Sequence, residues 1–181
     1  MTHRITAAFV LCLFASPSGG FAQATQVPVD HQQAITGNPL LGLTGFVVLE
    51  YERKVSPSTT LGVVGAAYNF EAERYRTART LFRYYPQGAA LSGFYVGMQS
   101  GIYRFDDRYT WNRRTGTSQD EFDGWDSALG VGFDSGYNWL LGADRQFSIG
   151  LGFGLTRLFG RDVGQSEYMP TARFINVGVA F

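Results

Sequence analysis

The sequence predicts an all-β fold, an up-and-down antiparallel transmembrane β-barrel of eight strands behind a cleaved signal peptide. Three observations carry that prediction. Apolar residues alternate with small or polar ones at a period near two in one segment after another. The connections between these segments are alternately short and long. After the leader, no stretch holds the roughly 18 consecutive apolar residues that a membrane-spanning helix needs.

At the N-terminus, Arg4 precedes an apolar run through Phe14 that is too brief to span a bilayer. Ala22-Gln23-Ala24 then supplies the A-x-A pattern of a signal peptidase site, and cleavage after Ala22 or Ala24 fits. Residues 1–24 are therefore expected to be a signal peptide and residues 25–181 the barrel domain. Cys12, the sole cysteine, follows Leu11 and not the small residue that precedes a lipid-modified cysteine, so a lipoprotein anchor is not expected. Its removal leaves no disulfide and no thiolate.

The first strand is the least patterned. Val27 to Gly37 is its natural source, with Asn38-Pro39 turning the chain. Leu43 to Glu52 sets Leu43, Val47, Leu49 and Tyr51 against Thr44, Phe46, Val48, Glu50 and Glu52. Thr60 to Phe70 is strand-like with either facing open, and Thr77 to Tyr85 puts Arg79 and Arg83 on its inner phase. Gly93 to Phe105 opposes Phe94, Val96, Met98 and Ile102 to Tyr95, Gly97, Gln99, Gly101 and Tyr103. In Ala128 to Trp139, Leu129, Val131, Phe133, Tyr137 and Trp139 oppose three glycines, Asp134 and Asn138. Phe147 to Phe159 alternates large residues with Ser148, Gly150, Gly152, Gly154 and Thr156. The last strand sets Arg173, Ile175, Val177, Val179 and Phe181 outward against Phe174, Asn176, Gly178 and Ala180.

Ser56-Pro57-Ser58, Pro86 to Ser92 and Leu141 to Gln146 are short connections and are expected on the periplasmic side. Glu71 to Arg76, Asp106 to Asp126 and Arg161 to Pro170 are then extracellular. A soluble β-sandwich or lipocalin-like barrel would alternate as well, but it buries its apolar face. Here the opposite face is rich in Gly, Asn, Gln, Glu and Arg, which favours lipid outside and a polar lumen within.

Asn38-Pro39-Leu40, Leu49-Glu50-Tyr51-Glu52, Arg83-Tyr84-Tyr85-Pro86, Gly93-Phe94-Tyr95-Val96-Gly97 and the closing Phe181 resemble an uncharacterised family of small outer-membrane β-barrels. The resemblance runs from about Gly37 to the end and places the chain beside the broad class of small OmpA- and OmpX-like barrels. In that class, the series Val177, Val179 and Phe181 is similar to the signal read by the barrel-insertion machinery. The resemblance carries no catalytic or ligand-binding role onto particular residues.

Composition excludes other classes. Lysine plus arginine equals aspartate plus glutamate at 15 each, charged residues are 17% of the chain, and aromatics reach 15%, so a nucleic-acid partner is not expected. Of the two histidines only His31 outlasts the leader, and a lipid-modifying enzyme would have to use it as its base. No catalytic residue, cofactor or metal is therefore expected. The acidic run Asp120, Glu121, Asp123 and Asp126 departs from an EF-hand in spacing, leaving a solvated loop or a weak calcium site. Gly130-Val131-Gly132 lies in a strand pattern with no helix after it, so it is no nucleotide fingerprint.

The inner phase offers more. Glu50 and Glu52 are expected to meet Arg79 and Arg83 inside the barrel, whose eight strands leave just enough room for side chains. Phe46, Leu81, Tyr95 and Tyr103 are expected to lean on the inner glycines 130, 132, 136, 150, 152 and 154, filling the lumen, with an acyl-chain cavity as the rival arrangement. Arg76, Arg104, Arg157 and Arg173 extend the outward series to its extracellular ends, where guanidinium groups suit lipopolysaccharide phosphates. Snorkelling is the plainer reading of the same placement. Trp111, Arg113, Arg114, Phe122 and Trp125 make the long loop amphipathic, and any extracellular ligand for it is unknown. Together these features predict a non-enzymatic integral outer-membrane barrel with a filled lumen, acting in envelope integrity, adhesion or surface contact. A small pore or transporter, or a lipid-modifying enzyme, is the alternative.

Overall fold

The computed structural model describes residues 30–70, 73–107, 110–112, 117–119, 126–160 and 168–181. The expected signal peptide, the acidic run 120–125 and loop residues Arg113, Arg114, Phe122 and Trp125 lie outside the described residues. The chain runs β1 (Gln33–Gly37), α1 (Pro39–Leu43), β2 (Phe46–Ser56), β3 (Thr59–Phe70), β4 (Glu73–Tyr84) and β5 (Gly93–Asp107). It continues as β6 (Thr110–Asn112), β7 (Thr117–Gln119), β8 (Asp126–Leu141), β9 (Phe147–Phe159) and β10 (Tyr168–Ala180).

Eight of these strands close an antiparallel up-and-down barrel in the order β1-β10-β9-β8-β5-β4-β3-β2, while β6 and β7 form a separate hairpin within the long connection. No described helix is long and apolar enough to cross a membrane. One row of partners runs from Thr36 through Glu50, Val64, Arg79, Gly101 and Gly130 to Leu158. On its other side Thr36 pairs with Gly178, which pairs with Ser148. The offset between Ser148 and Leu158 along β9 is the stagger with which the sheet closes, and it tilts every strand against the barrel axis.

Alternation follows the sequence expectation on most strands. On β2, Val47 is 62% exposed and Glu50 3%. The facing of β3, open from the sequence, resolves with Thr60, Val64 and Ala66 buried inside and Leu61 and Val63 outside. Outward residues such as Met98, Leu129, Phe133 and Phe153 make an exposed apolar surface around the whole barrel.

At one end lie the turns 57–58, 85–92 and 142–146 together with the ends of the strand-forming chain. Phe181 donates its N–H to the Gln33 carbonyl and accepts from Gln32 and Gln33, so the last residue is stitched to β1. Leu91, with φ of 72° and 2% exposed, turns inward there and packs with Ala34 and Ala180. A hydrogen bond from Lys54 holds the exposed Asp30 carboxyl below its ordinary pKa. At the other end, Tyr75, Tyr103, Ala66 and Leu158 pack with Phe46, Tyr68 and Phe105.

Two local features correct the sequence expectation. The first strand is shorter than Val27 to Gly37, because β1 begins at Gln33 and Asn38 then caps a helix. The Asn38 side chain accepts from Leu41 N at 3.0 Å, satisfying a helix N–H that has no partner within the helix. Beyond Gly37, β2 runs on to Phe46 and β10 to Tyr168 with no described strand between them, and α1 lies in that seam against both.

The second feature is a bulge in β10. Arg173 pairs with Gly152 and Asn176 with Gly150, so β10 carries one residue more than β9 across this interval. Ile175 absorbs it with φ of 49°. Phe174 and Ile175 both point outward, and Arg173 is brought into the lumen. The expected facing of Arg173 and Phe174 is therefore reversed, since an extra residue inverts the phase of everything on one side of it.

Candidate functional site

The polar centre of the barrel is built around Arg83 of β4, which is 1% exposed. Its Nη1 donates to Glu50 Oε1 at 2.6 Å and to Glu52 Oε2 at 2.8 Å. Its Nε reaches Asp134 Oδ2 at 2.9 Å, and Nη2 lies 2.8 Å from the same oxygen. One planar fork thus joins β2, β4 and β8, a geometry that lysine, a point charge, could not reproduce.

Arg173 completes the cluster from β10. Its Nη2 donates to Glu50 Oε1 at 2.8 Å and its Nη1 to the Tyr95 hydroxyl at 2.5 Å. The Arg83 guanidinium lies 4.5 Å from the centre of the Tyr95 ring. Tyr85 donates to Glu52 Oε1 at 2.7 Å, Thr60 donates to the same oxygen, and Asn138 donates to the Tyr85 hydroxyl at 3.1 Å. Buried charges persist only when paired and hydrogen-bonded in this way.

Of the expected lumen charges, Glu50, Glu52 and Arg83 come together. Arg79 does not join them, because it donates from Nη1 to Gln99 Oε1 at 2.7 Å on the neighbouring strand. Asp134 and Arg173 are the members that sequence reasoning missed. Asp134 was visible as the sole charged residue on the inner phase of the segment Ala128 to Trp139, whereas Arg173 was hidden by the bulge.

The inner glycines accommodate some of the expected bulk. A Cβ at Gly130 would strike the Tyr103 ring, and one at Gly136 or Gly152 would crowd the Tyr95 hydroxyl. Phe46 instead packs on Tyr68 and Tyr75. Leu81 lines a cavity of about 250 Å³ that the side chains leave between the charge cluster and β10. The lumen is therefore not filled along its whole length, because the glycine-rich wall takes two tyrosines and the β2–β10 side keeps the remaining space.

Arg76, Arg104 and Arg157 are exposed on the barrel's outside near the long-loop end, and Arg76 stands directly opposite Arg104 in the ladder. Arg173 is not among them. Val177, Val179 and Phe181 face outward at the short-turn end. His31 donates from Nε2 to the Asp144 carbonyl at 2.7 Å, tying the start of the barrel to the β8–β9 turn. Among the described residues, no three metal-ligating side chains form a group.

The chain is similar to the N-terminal β-barrel domain of Pseudomonas aeruginosa OprF, with 12% identity and a TM-score of 0.43 over 82% of this chain and 94% of that one. No curated protein matches it. With residues 7–165 matched by the family's model, the chain belongs to the family described as Protein of unknown function (DUF3575).

Proposed function

We propose that this chain is a non-enzymatic integral protein of a Gram-negative outer membrane, with a lumen closed to steady ion flow. It would serve envelope integrity, adhesion or surface contact through the long connection between β5 and β8. The observation that carries the reading is inverted polarity. Charges sit at the centre of a closed barrel while Val47, Met98, Leu129 and Phe153 stand on its surface. A barrel in water would reverse that arrangement, since an apolar surface of such extent is costly there. A lipid surround makes it the stable one.

The charge cluster supports closure. Arg83 reaches carboxylates on two other strands, and Leu91 is buried at the short-turn end, so on this reading an ion would have to break buried pairs to pass. The test is a gel of the membrane fraction, unboiled and boiled, followed by planar-bilayer recording. A heat-dependent shift in mobility without discrete current steps is expected. Stable single-channel steps would overturn closure, and a soluble protein with no shift would overturn the membrane assignment.

Lipopolysaccharide and the barrel-insertion machinery are the partners this reading implies, the latter through Val177, Val179 and Phe181. The exposed position of Arg76, Arg104 and Arg157 on the barrel's outside supports the former, because guanidinium groups suit phosphate oxygens. Changing Arg76, Arg104 and Arg157 together to alanine is expected to weaken lipopolysaccharide retention in native mass spectrometry. Equal retention would remove that partner from the proposal.

A further inference from the structure

The wall of the barrel is not equally sealed all the way round. β1 stops at Gly37, opposite Leu49 and Val177, and above that point the edges of β2 and β10 face one another across α1. Pro170, which has no N–H to offer a ladder, lies in β10 beside the seam. An unpaired strand edge cannot be left bare in hydrocarbon, so α1 is the cover that the seam requires.

That cover is lightly held. α1 is five residues long and buries none of them, and Leu43 is 86% exposed. Its attachment is Asn38, whose Nδ2 donates to the Phe174 carbonyl at the bulge at 2.5 Å and to Asn176 Oδ1 at 3.1 Å. Gly45, with φ of 82°, forms a joint on the far side of the helix.

The cavity of about 250 Å³ lies directly behind this seam. Its wall includes inward residues such as Val48, Val64 and Ala66, the helix residue Leu41, and the outward residues Ala172 and Phe174 of β10. It therefore passes from the lumen to the barrel's outer surface through the gap that α1 covers. Most of the lining is apolar, but the wall holds buried polar atoms that lack partners, the donors Arg79 Nε, Arg173 Nε and Asn176 Nδ2 and the acceptor Asp134 Oδ1.

We propose that this cavity binds a single acyl chain bearing a carboxylate or ester head, admitted sideways from the membrane when α1 lifts from the seam. The proposal rests on the membrane assignment above. The volume lies just below the roughly 300–1,000 Å³ of sites for drug-sized ligands, which suits one chain and not a whole lipid. The unpartnered donors, buried as they stand, must turn to reach the head's oxygens, and the apolar wall takes the methylenes. The chain comes from a free fatty acid or from a membrane phospholipid, and the shared chemistry is the acyl carbonyl.

The test uses the full barrel purified in detergent, stripped of lipid, and offered palmitate or a palmitoyl lysophospholipid before native mass spectrometry. One equivalent of at least one probe is expected to stay bound. Palmitate alone identifies the free acid as the source, and the lysophospholipid alone identifies a membrane lipid. Ala66→Phe fills the cavity and is expected to lower retention by about tenfold or more, with the heat-dependent gel shift unchanged. Val48→Phe, nearer the seam, serves the same purpose if Ala66→Phe does not fold. Asn38→Ala, which releases the cover, is expected to speed exchange of the bound chain. Retention of neither probe, or equal retention by the filled variants, overturns the proposal. A normal gel shift in those same samples would leave the membrane assignment standing.

Discussion

Replacing Arg83 by methionine is expected to destabilise the barrel by about 3–5 kcal/mol, the usual cost of removing one partner from a buried ion cluster. Three carboxylates, Glu50, Glu52 and Asp134, would each lose their contact with this buried guanidinium. Arg173 reaches only Glu50 among them, so it cannot take over. The measurement is the urea midpoint of the barrel in detergent micelles, followed by the fraction that keeps its unboiled gel mobility. Arg83→Lys is expected to fall between the two, because an ammonium retains the charge without the fork that spans β2 and β8. Adding Glu52→Gln and Asp134→Asn to Arg83→Met is expected to recover part of the loss, since these two carboxylates are left unpaired while Glu50 keeps Arg173. An unchanged midpoint for Arg83→Met would mean that water reaches the cluster, and closure of the lumen would fall with it.

Gly130→Ala is expected to cost about 1–3 kcal/mol, an overpacking penalty large for the addition of one methyl group. The new Cβ would meet the Tyr103 ring and the Thr156 methyl, both side chains fixed from neighbouring strands and joined by the Tyr103 hydroxyl bond to Thr156 at 3.1 Å. Because the obstacle is side chain and not backbone, the penalty should shrink in a Tyr103→Ser background, and a double-mutant cycle would read the coupling. Gly65→Ala is the control. Gly65 points outward with open space at its Cβ, so the same change there is expected to be neutral or slightly stabilising. Equal effects at both positions would mean that the methyl acts through the backbone and that the inner wall is not fitted to its tyrosines.

How far the lumen could be anticipated differs residue by residue. Glu50, Glu52 and Arg83 were legible because each lies on the phase opposite a run of large apolar residues, and alternation in a strand leaves only two directions to choose between. Their meeting could be expected, but their partners could not be assigned. Which inner residues share a level depends on the stagger of the closed sheet, so Arg79, four residues from Arg83 on the same face, ends beside Gln99 and not beside a carboxylate. The facing of β3 was open because alanine, glycine and valine occupy both of its phases, leaving no polarity contrast to decide it.

From its residues alone this chain determines that it is all-β, where most strands lie, which side of each faces out, and that the connections differ in length at the two ends. Those properties follow from local chemistry repeated at a period of two, and a linear pattern records them fully. The bulge, the seam and the cavity are decided elsewhere. Ile175 is neither glycine nor asparagine, so nothing in the chain marks it for a positive φ; the conformation is imposed by fitting β10 to β9 while Asn38, distant in sequence, bonds the Phe174 carbonyl. The flip of Arg173 into the lumen, and the opening behind α1, exist because a sheet that closes on itself must reconcile strands of unequal length. That condition belongs to the barrel as a whole and to no segment of it.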